Sequence, residues 1–260
     1  MIIAANWKMN PLPADAAALF ASYCADQRLT SAAAHILCFV PSCYLFAAER
    51  AFEKTAIQWG AQNSYPERAG AYTGKISADM VSGFGGKWVL AGHSERRGGL
   101  GETDDFVAAK LVAALTAGLS VVLCVGEPQD MRERGAHNEY VENQLLASLA
   151  AFCAESDDWQ VQHLPRLVIA YEPVWAIGTG LVATKTQIDE MHTHIHEILI
   201  RQFSSHGQHG MPPILYGGSV NKDNAETILS LPLVGGALVG GASLSADSFA
   251  AIVASADATI

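Results

Sequence analysis

The chain has 260 residues, half of them hydrophobic, and a formal net charge of −10. That size and apolar share allow one large α/β domain with a sizeable core, without disulfide or metal staples. The acidic balance, with no basic stripe, excludes an electrostatic nucleic-acid binder, and no apolar run is long enough to cross a bilayer.

Short aliphatic or β-branched runs recur at 2–6, 35–40, 57–63, 88–92, 121–125, 167–171, 214–217 and 237–239. Each is nearly continuous in hydrophobicity rather than alternating, as strands covered on both faces are. Ala-, Leu- and Glu-rich stretches of helical spacing lie between them, at 15–24, 104–117, 137–155 and 185–203, with Asp15 and Thr186 placed as cap or first-turn residues. Eight strand-then-helix units predict a closed (β/α)8 barrel forming a single domain over 1–260. An open doubly wound sheet is the competing architecture, but it usually has fewer units and a Gly-rich first turn. The first turn here is Asn6-Trp7-Lys8-Met9-Asn10. No composition break marks a linker, and the tail from about Ala254 reads as a fraying helix end.

The five cysteines, at 24, 38, 43, 124 and 153, include no Cys-x-x-Cys pair, which argues against a zinc ribbon or a thioredoxin-like motif. Cys38 and Cys43 read as two partly buried thiols. The odd count, and an N-terminus that enters a strand-like run at once, point to a reducing, cytoplasmic setting.

In a parallel barrel the chemistry sits where strands end and βα loops begin. The first strand ends at Asn6 and Lys8, the fourth at His93 followed by Ser94-Glu95-Arg96-Arg97, and the sixth at Glu172. The seventh ends at Gly217-Gly218-Ser219 and the eighth at Gly240-Gly241. Each alone has a plain reading: a solvated lysine, a structural histidine, a capping carboxylate, turn glycines. Together they place a cation, an imidazole, a carboxylate and two glycine turns at one end of the barrel. Glycine turns after strands 7 and 8, with Ser219 and Gly178, suit a phosphate. Glu172 is then a candidate general base, and His93 a candidate acid or electrophile. No cluster of metal-ligand residue types sits at a strand end, so metal-free proton transfer without a cofactor is expected.

Eight segments, in this order, resemble the triosephosphate isomerase family over essentially the whole chain. They are NWKMN (6–10), AQNSYPERAGAYTGKIS (61–77), WVLAGHSERR (88–97), GETDD (101–105), LCVGE (123–127), AYEPVWAIGTG (170–180), LYGGSV (215–220) and GALVGGASL (236–244). The resemblance implies a TIM barrel that interconverts dihydroxyacetone phosphate and D-glyceraldehyde 3-phosphate. It implies Glu172 as the base, His93 as proton shuttle, and Asn6 and Lys8 stabilising an enediolate. Gly178, Ser219, Gly240 and Gly241 would hold the phosphate, with Ser94, Glu95 and Cys124 supporting from behind. This family is itself the standard example of a Glu base, a neutral His electrophile and a closing loop. The resemblance also implies a homodimer in which loop 64–77, with Thr73 near its tip, reaches into the neighbour. The loop 173–180 would be a lid, with Pro173 stiffening its start, Val174 and Trp175 as a hinge, Ala176-Ile177 as an apolar tip and Gly178-Thr179-Gly180 at the far end.

The chain departs from the family pattern at Leu181-Val182, Lys75, Gly235 and Ala91, none of them a predicted catalytic position. His192 and His196 stand at i and i+4 in EMHTHIHE, a spacing that could bind zinc, but the segment lies away from the strand ends and reads as a solvated helix face. GFGGK (83–87) lacks the spacing and the Ser/Thr of a P-loop. Two alternatives remain at this stage: an aldolase using Lys8 as a Schiff-base nucleophile, and a non-catalytic barrel that binds phosphorylated ligands.

Overall fold

The apolar runs at 2–6 and 35–40 lie side by side and parallel, with Ile2 opposite His35 and Asn6 opposite Phe39. The computed structural model describes residues 1–179, 181–205 and 210–259. Strands β1 (Ile2–Asn6), β2 (His35–Val40), β3 (Gln58–Ala61), β4 (Trp88–Ala91), β5 (Ser120–Val125), β6 (Leu167–Tyr171), β7 (Ile214–Tyr216) and β8 (Gly236–Val239) pair in sequence order. The ring closes where β8 meets β1, with Ile2 opposite Gly236 and Ala5 opposite Val239. The expected (β/α)8 barrel is therefore the observed fold, and no described helix is long and apolar enough to cross a membrane.

Period-2 alternation along each strand feeds two cores. Ala4, Leu37, Phe39, Leu90, Val122, Val168, Leu215 and Leu238 fill the inside of the ring. The alternate residues, among them Ile3, Ala5, Val121, Leu123, Ile169 and Tyr171, pack outward against the helices. Strands buried on both faces explain why the runs read as continuously apolar.

The helices that carry these outer faces include α1 (Pro13–Ala25), α2 (Gln27–Thr30), α3 (Leu45–Phe52), α4 (Ala78–Gly83), α5 (Ser94–Leu100) and α6 (Asp104–Thr116). They continue with α7 (Gln129–Glu133), α8 (His137–Cys153), α9 (Asp157–His163), α10 (Lys185–Phe203), α11 (Ala225–Leu229) and α12 (Ala246–Asp257). Asp15 lies in the first turn of α1 and Thr186 in that of α10, which Thr184 caps. Its side chain accepts from Gln187 N–H while the Gln187 side chain returns to the Thr184 N–H, a capping box.

Three expectations are corrected here. Helix α12 does not fray at Ala254: Ala256 is buried, and Asp257 accepts a 2.8 Å hydrogen bond from Ala34 N–H. Cys38 and Cys43 are not alike, since the first is buried and the second exposed; all five cysteines are free. The histidines of α10 are not one solvated face. His192 is fully buried and its Nδ1 donates to Leu233 O at 3.1 Å, and the described residues hold no metal-type cluster. The stripe Ile188, Met191, His192, Ile195, Leu199 has helical spacing and marks His192 as an inward position.

Candidate active site

Burial of Trp7 fixes where β1 turns. Its ring packs edge-on against Phe20 and Tyr23, at 4.8 and 5.5 Å, so the chain reverses over it and aims Lys8 across the mouth of the barrel. The price is a left-handed backbone at Lys8, φ 51°, the one such non-glycine residue among those described. Lys8 N–H donates to Asn6 Oδ1 at 3.0 Å, and the Gln62 amide donates to Lys8 O at 2.8 Å. A strained residue held by surrounding bonds is common at functional sites.

The strand ends enclose a cavity of about 450 Å³. Asn6 and Lys8, His93, and Glu172 line it from β1, β4 and β6; Gly217, Gly218 and Ser219 follow β7, and Gly240 and Gly241 follow β8. Gly178 and Ile177 face it from the loop after β6. Every expected catalytic and phosphate-holding residue thus lines this one cavity, and Lys8 is the one Lys or Arg among the described residues lining it. Against a net charge of −10, that placement gives the cavity local attraction for an anion.

Within it, His93 Nε2 and Glu172 Oε1 are 2.9 Å apart, both side chains buried. His93 caps α5, its Nδ1 accepting the Glu95 backbone N–H at 3.2 Å. The ring proton therefore belongs on Nε2, facing Glu172. Burial pushes the His93 pKa down, and the charge and hydrogen bond of Glu172 push it up by more, for a net rise. A second ring proton would nonetheless point Nδ1–H at the Glu95 N–H, so the cap geometry favours neutral imidazole while α5 begins there. For Glu172, burial acts upward, but the His93 ring beside it, with the Ser94 N–H at 2.8 Å, holds its pKa below the usual carboxylate value. The group is an ionised, buried carboxylate.

The residues expected to support the site lie next to it. Glu95 Oε1 meets Lys8 Nζ at 2.6 Å; with Glu95 half exposed, such a pair contributes about 0–1 kcal/mol and serves mainly to aim the ammonium. Cys124 is buried beside Glu172, and burial and then that carboxylate raise its thiol pKa. Gly126 is needed by contact: a Cβ there would lie 1.6 Å from Glu172 O.

The loop after β6, expected as a lid, is pinned at its first shoulder and at its tip. Pro173 leads into a single 3-10 turn, Val174–Ala176. The expected hinge residue Trp175 donates its indole N–H to Glu127 at 2.8 Å, and Val174 N–H donates to Glu127 O. At the tip, Ile177 faces the cavity, whereas Ala176 is buried with its carbonyl accepting from Ser219 Oγ at 2.8 Å. Gly180, the last expected lid residue, lies outside the described residues. Leu181 and Val182 are about half exposed, and Lys75 stands 6.0 Å over the Tyr65 ring.

Sequence reading overlooked Gln62 and Glu127. Glu127 is a fully buried carboxylate that accepts from Trp175, Tyr171 and Arg132. Its signal was a glutamate two residues past the continuous fifth strand, one position further on than Glu172 stands after the sixth.

Fold and site together define a class: a (β/α)8 barrel with a buried carboxylate–imidazole pair beside an ammonium in a glycine-lined cavity. A model of the triosephosphate isomerase family matches residues 1–256. The chain is 44% identical to triosephosphate isomerase of Granulibacter bethesdensis, covering 96% of this chain and 97% of that one. It is 42% identical to that of Rhodopirellula baltica, covering 98% and 97%, and 42% identical to that of Lawsonia intracellularis, covering 97% of each. The chain belongs to the triosephosphate isomerase family.

Proposed function

We propose that the chain interconverts dihydroxyacetone phosphate and D-glyceraldehyde 3-phosphate by proton transfer through an enediolate, without metal or cofactor. The observation that carries this reading is the buried pair of Glu172 and His93 in contact at 2.9 Å beside Lys8 and a glycine cradle. The phosphate sits against Gly178, Ser219, Gly240 and Gly241, where backbone N–H groups can approach closely. Entry of the three-carbon chain parts Glu172 from His93. Glu172 takes the proton from one carbon and returns it to its neighbour, while His93 Nε2–H and Asn6 polarise the oxygens.

Lys8 offsets the charge that develops on the enediolate. At about 4 Å its attraction is worth about 1 kcal/mol in bulk water and about 4 kcal/mol at an effective dielectric near 20. The difference of roughly 3 kcal/mol is about two powers of ten in rate, which is what closing loop 173–180 gains. A Schiff-base role fits Lys8 less well, because its Nζ is engaged by the Glu95 carboxylate.

The assembly is a homodimer through loop 64–77. What supports this is a second opening of about 370 Å³ beside Lys8, Met9, Gln62, Glu95 and Leu100, rimmed by Met9 at 94% and Leu100 at 67% exposure. A reducing, cytoplasmic setting suits five free cysteines.

A coupled assay following glyceraldehyde 3-phosphate tests the reaction, with Glu172→Gln as the control. That variant loses several powers of ten in turnover if Glu172 is the base; retained turnover would overturn the assignment.

A further inference from the structure

Behind Glu172 lies another chamber, of about 210 Å³, walled by Ser94, Arg97, Gly126, Tyr140 and Gln144. Among the described residues, Glu172 is the one that lines both this chamber and the substrate cavity. Its two oxygens face two ways: Oε1 meets His93 of the front cavity, and Oε2 accepts the N–H of Ser94 from the rear wall.

The rear wall suits water. Gln144 spends its Oε1 on the Gly126 N–H at 2.8 Å, and among the described residues its amide N–H groups and the Ser94 and Tyr140 hydroxyls meet no partner. Arg97 is committed elsewhere, to Gly92 O, Cys124 O, Ser148 and Asp104, and so offers little to an anion. The volume far exceeds the roughly 10–15 Å³ that one water needs, and the free groups supply its polar partners.

We propose that this chamber is the path by which the proton held on Glu172 exchanges with solvent while the front cavity is covered; this rests on the reading of Glu172 as the base. The exchange is balanced. The carboxyl first turns about its Cγ–Cδ bond, carrying the proton taken in front to the rear side; there that O–H bond breaks as the proton passes to a chamber water, a proton from the water chain bonds to the same oxygen, and the carboxyl turns back, so charge is unchanged. Solvent hydrogen then reaches the product at a rate set by the rear wall rather than by the lid.

Gly98 is the point at which to block the path. It sits in α5 on the chamber rim, and a Cβ there meets no heavy atom within 4 Å. The isomerisation is run in D2O to low conversion, and the product is analysed for deuterium against retained protium. In Gly98→Met the ratio falls by about tenfold with turnover near wild type, a loss well inside what a positioned proton path contributes. Gly98→Ala and Tyr140→Phe lower the ratio less, and they decide the question if the methionine variant does not fold. A ratio unchanged in these variants overturns the proposal, as does a ratio that ignores position 98 but rises when the lid is loosened by Ser219→Ala. Glu172→Gln is assayed in parallel. If it keeps turnover, the base assignment itself has failed, an outcome separate from any change at the rear wall.

Discussion

Ser219 Oγ donates a 2.8 Å hydrogen bond to Ala176 O, joining residues 43 positions apart. It ties the tip of the loop after β6 to the glycine turn after β7, the two segments proposed to serve as lid and phosphate site. Replacing Ser219 by Ala removes this clasp. A neutral hydrogen bond contributes about 0.5–1.5 kcal/mol, so kcat/KM is expected to fall by about tenfold, with KM rising. Steady-state kinetics on the phosphorylated substrate check this, and unchanged constants would show that the clasp has no part in closure.

Gly126 and Glu172 give a second prediction. With Glu172 O 1.6 Å from where a Cβ would stand, Gly126→Ala must push the β6 end away from β5. A displacement near 1 Å at a reacting group costs about a hundredfold in rate. The variant should keep its barrel by circular dichroism and lose turnover by that factor. Full activity would show that the two strand ends move independently.

His192 sets part of the acid limit. Burial drives its pKa down to about 4 from an ordinary value near 6.5. Above pH 6.5 the ring is neutral in both folded and unfolded chains. As pH falls from 6.5 to 4 the unfolded chain takes up a proton that the folded one refuses, so stability declines across that window. The slope is at most about 1.4 kcal/mol per pH unit, summing to roughly 3 kcal/mol. Urea unfolding at several pH values should show this slope, and His192→Gln should flatten it.

The buried cluster of Lys110, Glu102 and Arg96 gives a fourth prediction. Lys110 Nζ lies 2.5 Å from Glu102 and 2.7 Å from Asn63, and Arg96 approaches the same carboxylate at 2.7 Å. Burial lowers the Lys110 pKa to about 8 despite Glu102. Glu102→Leu leaves a buried cation without its counter-ion and is expected to cost about 3–5 kcal/mol, whereas adding Lys110→Met should recover much of that loss. Chemical denaturation of the two single variants and the double closes the cycle. An additive double variant would refute the coupling.

Much of this architecture is legible in the residues because barrel strands are buried on both sides and announce themselves as aliphatic runs. Boundaries were poorer where polar bonds end a strand: β3 stops at Ala61, and the next residue, Gln62, turns its amide to Lys8 O and Phe39 O. Short helices such as α2 and α11 carry too few turns to show a period. The cavity-lining residues were legible because they stand at or just past strand ends. His192 was misjudged because histidine counts as polar, although its neighbours at i−4, i−1, i+3 and i+7 are all apolar. The clasp on Ala176 and the chamber behind Glu172 had no sequence signal, since both depend on where backbone atoms and empty space fall.

The pairing of β1 with β8 also bears on synthesis. Asn6 and Lys8 leave the ribosome well before their neighbours Gly240 and Gly241, which come from strand and turn made some 230 residues later. Until Val239 emerges, β1 presents an open edge, the kind of surface that recruits stray strands. A nascent chain stalled short of that point should therefore carry no activity and should be a client for chaperones.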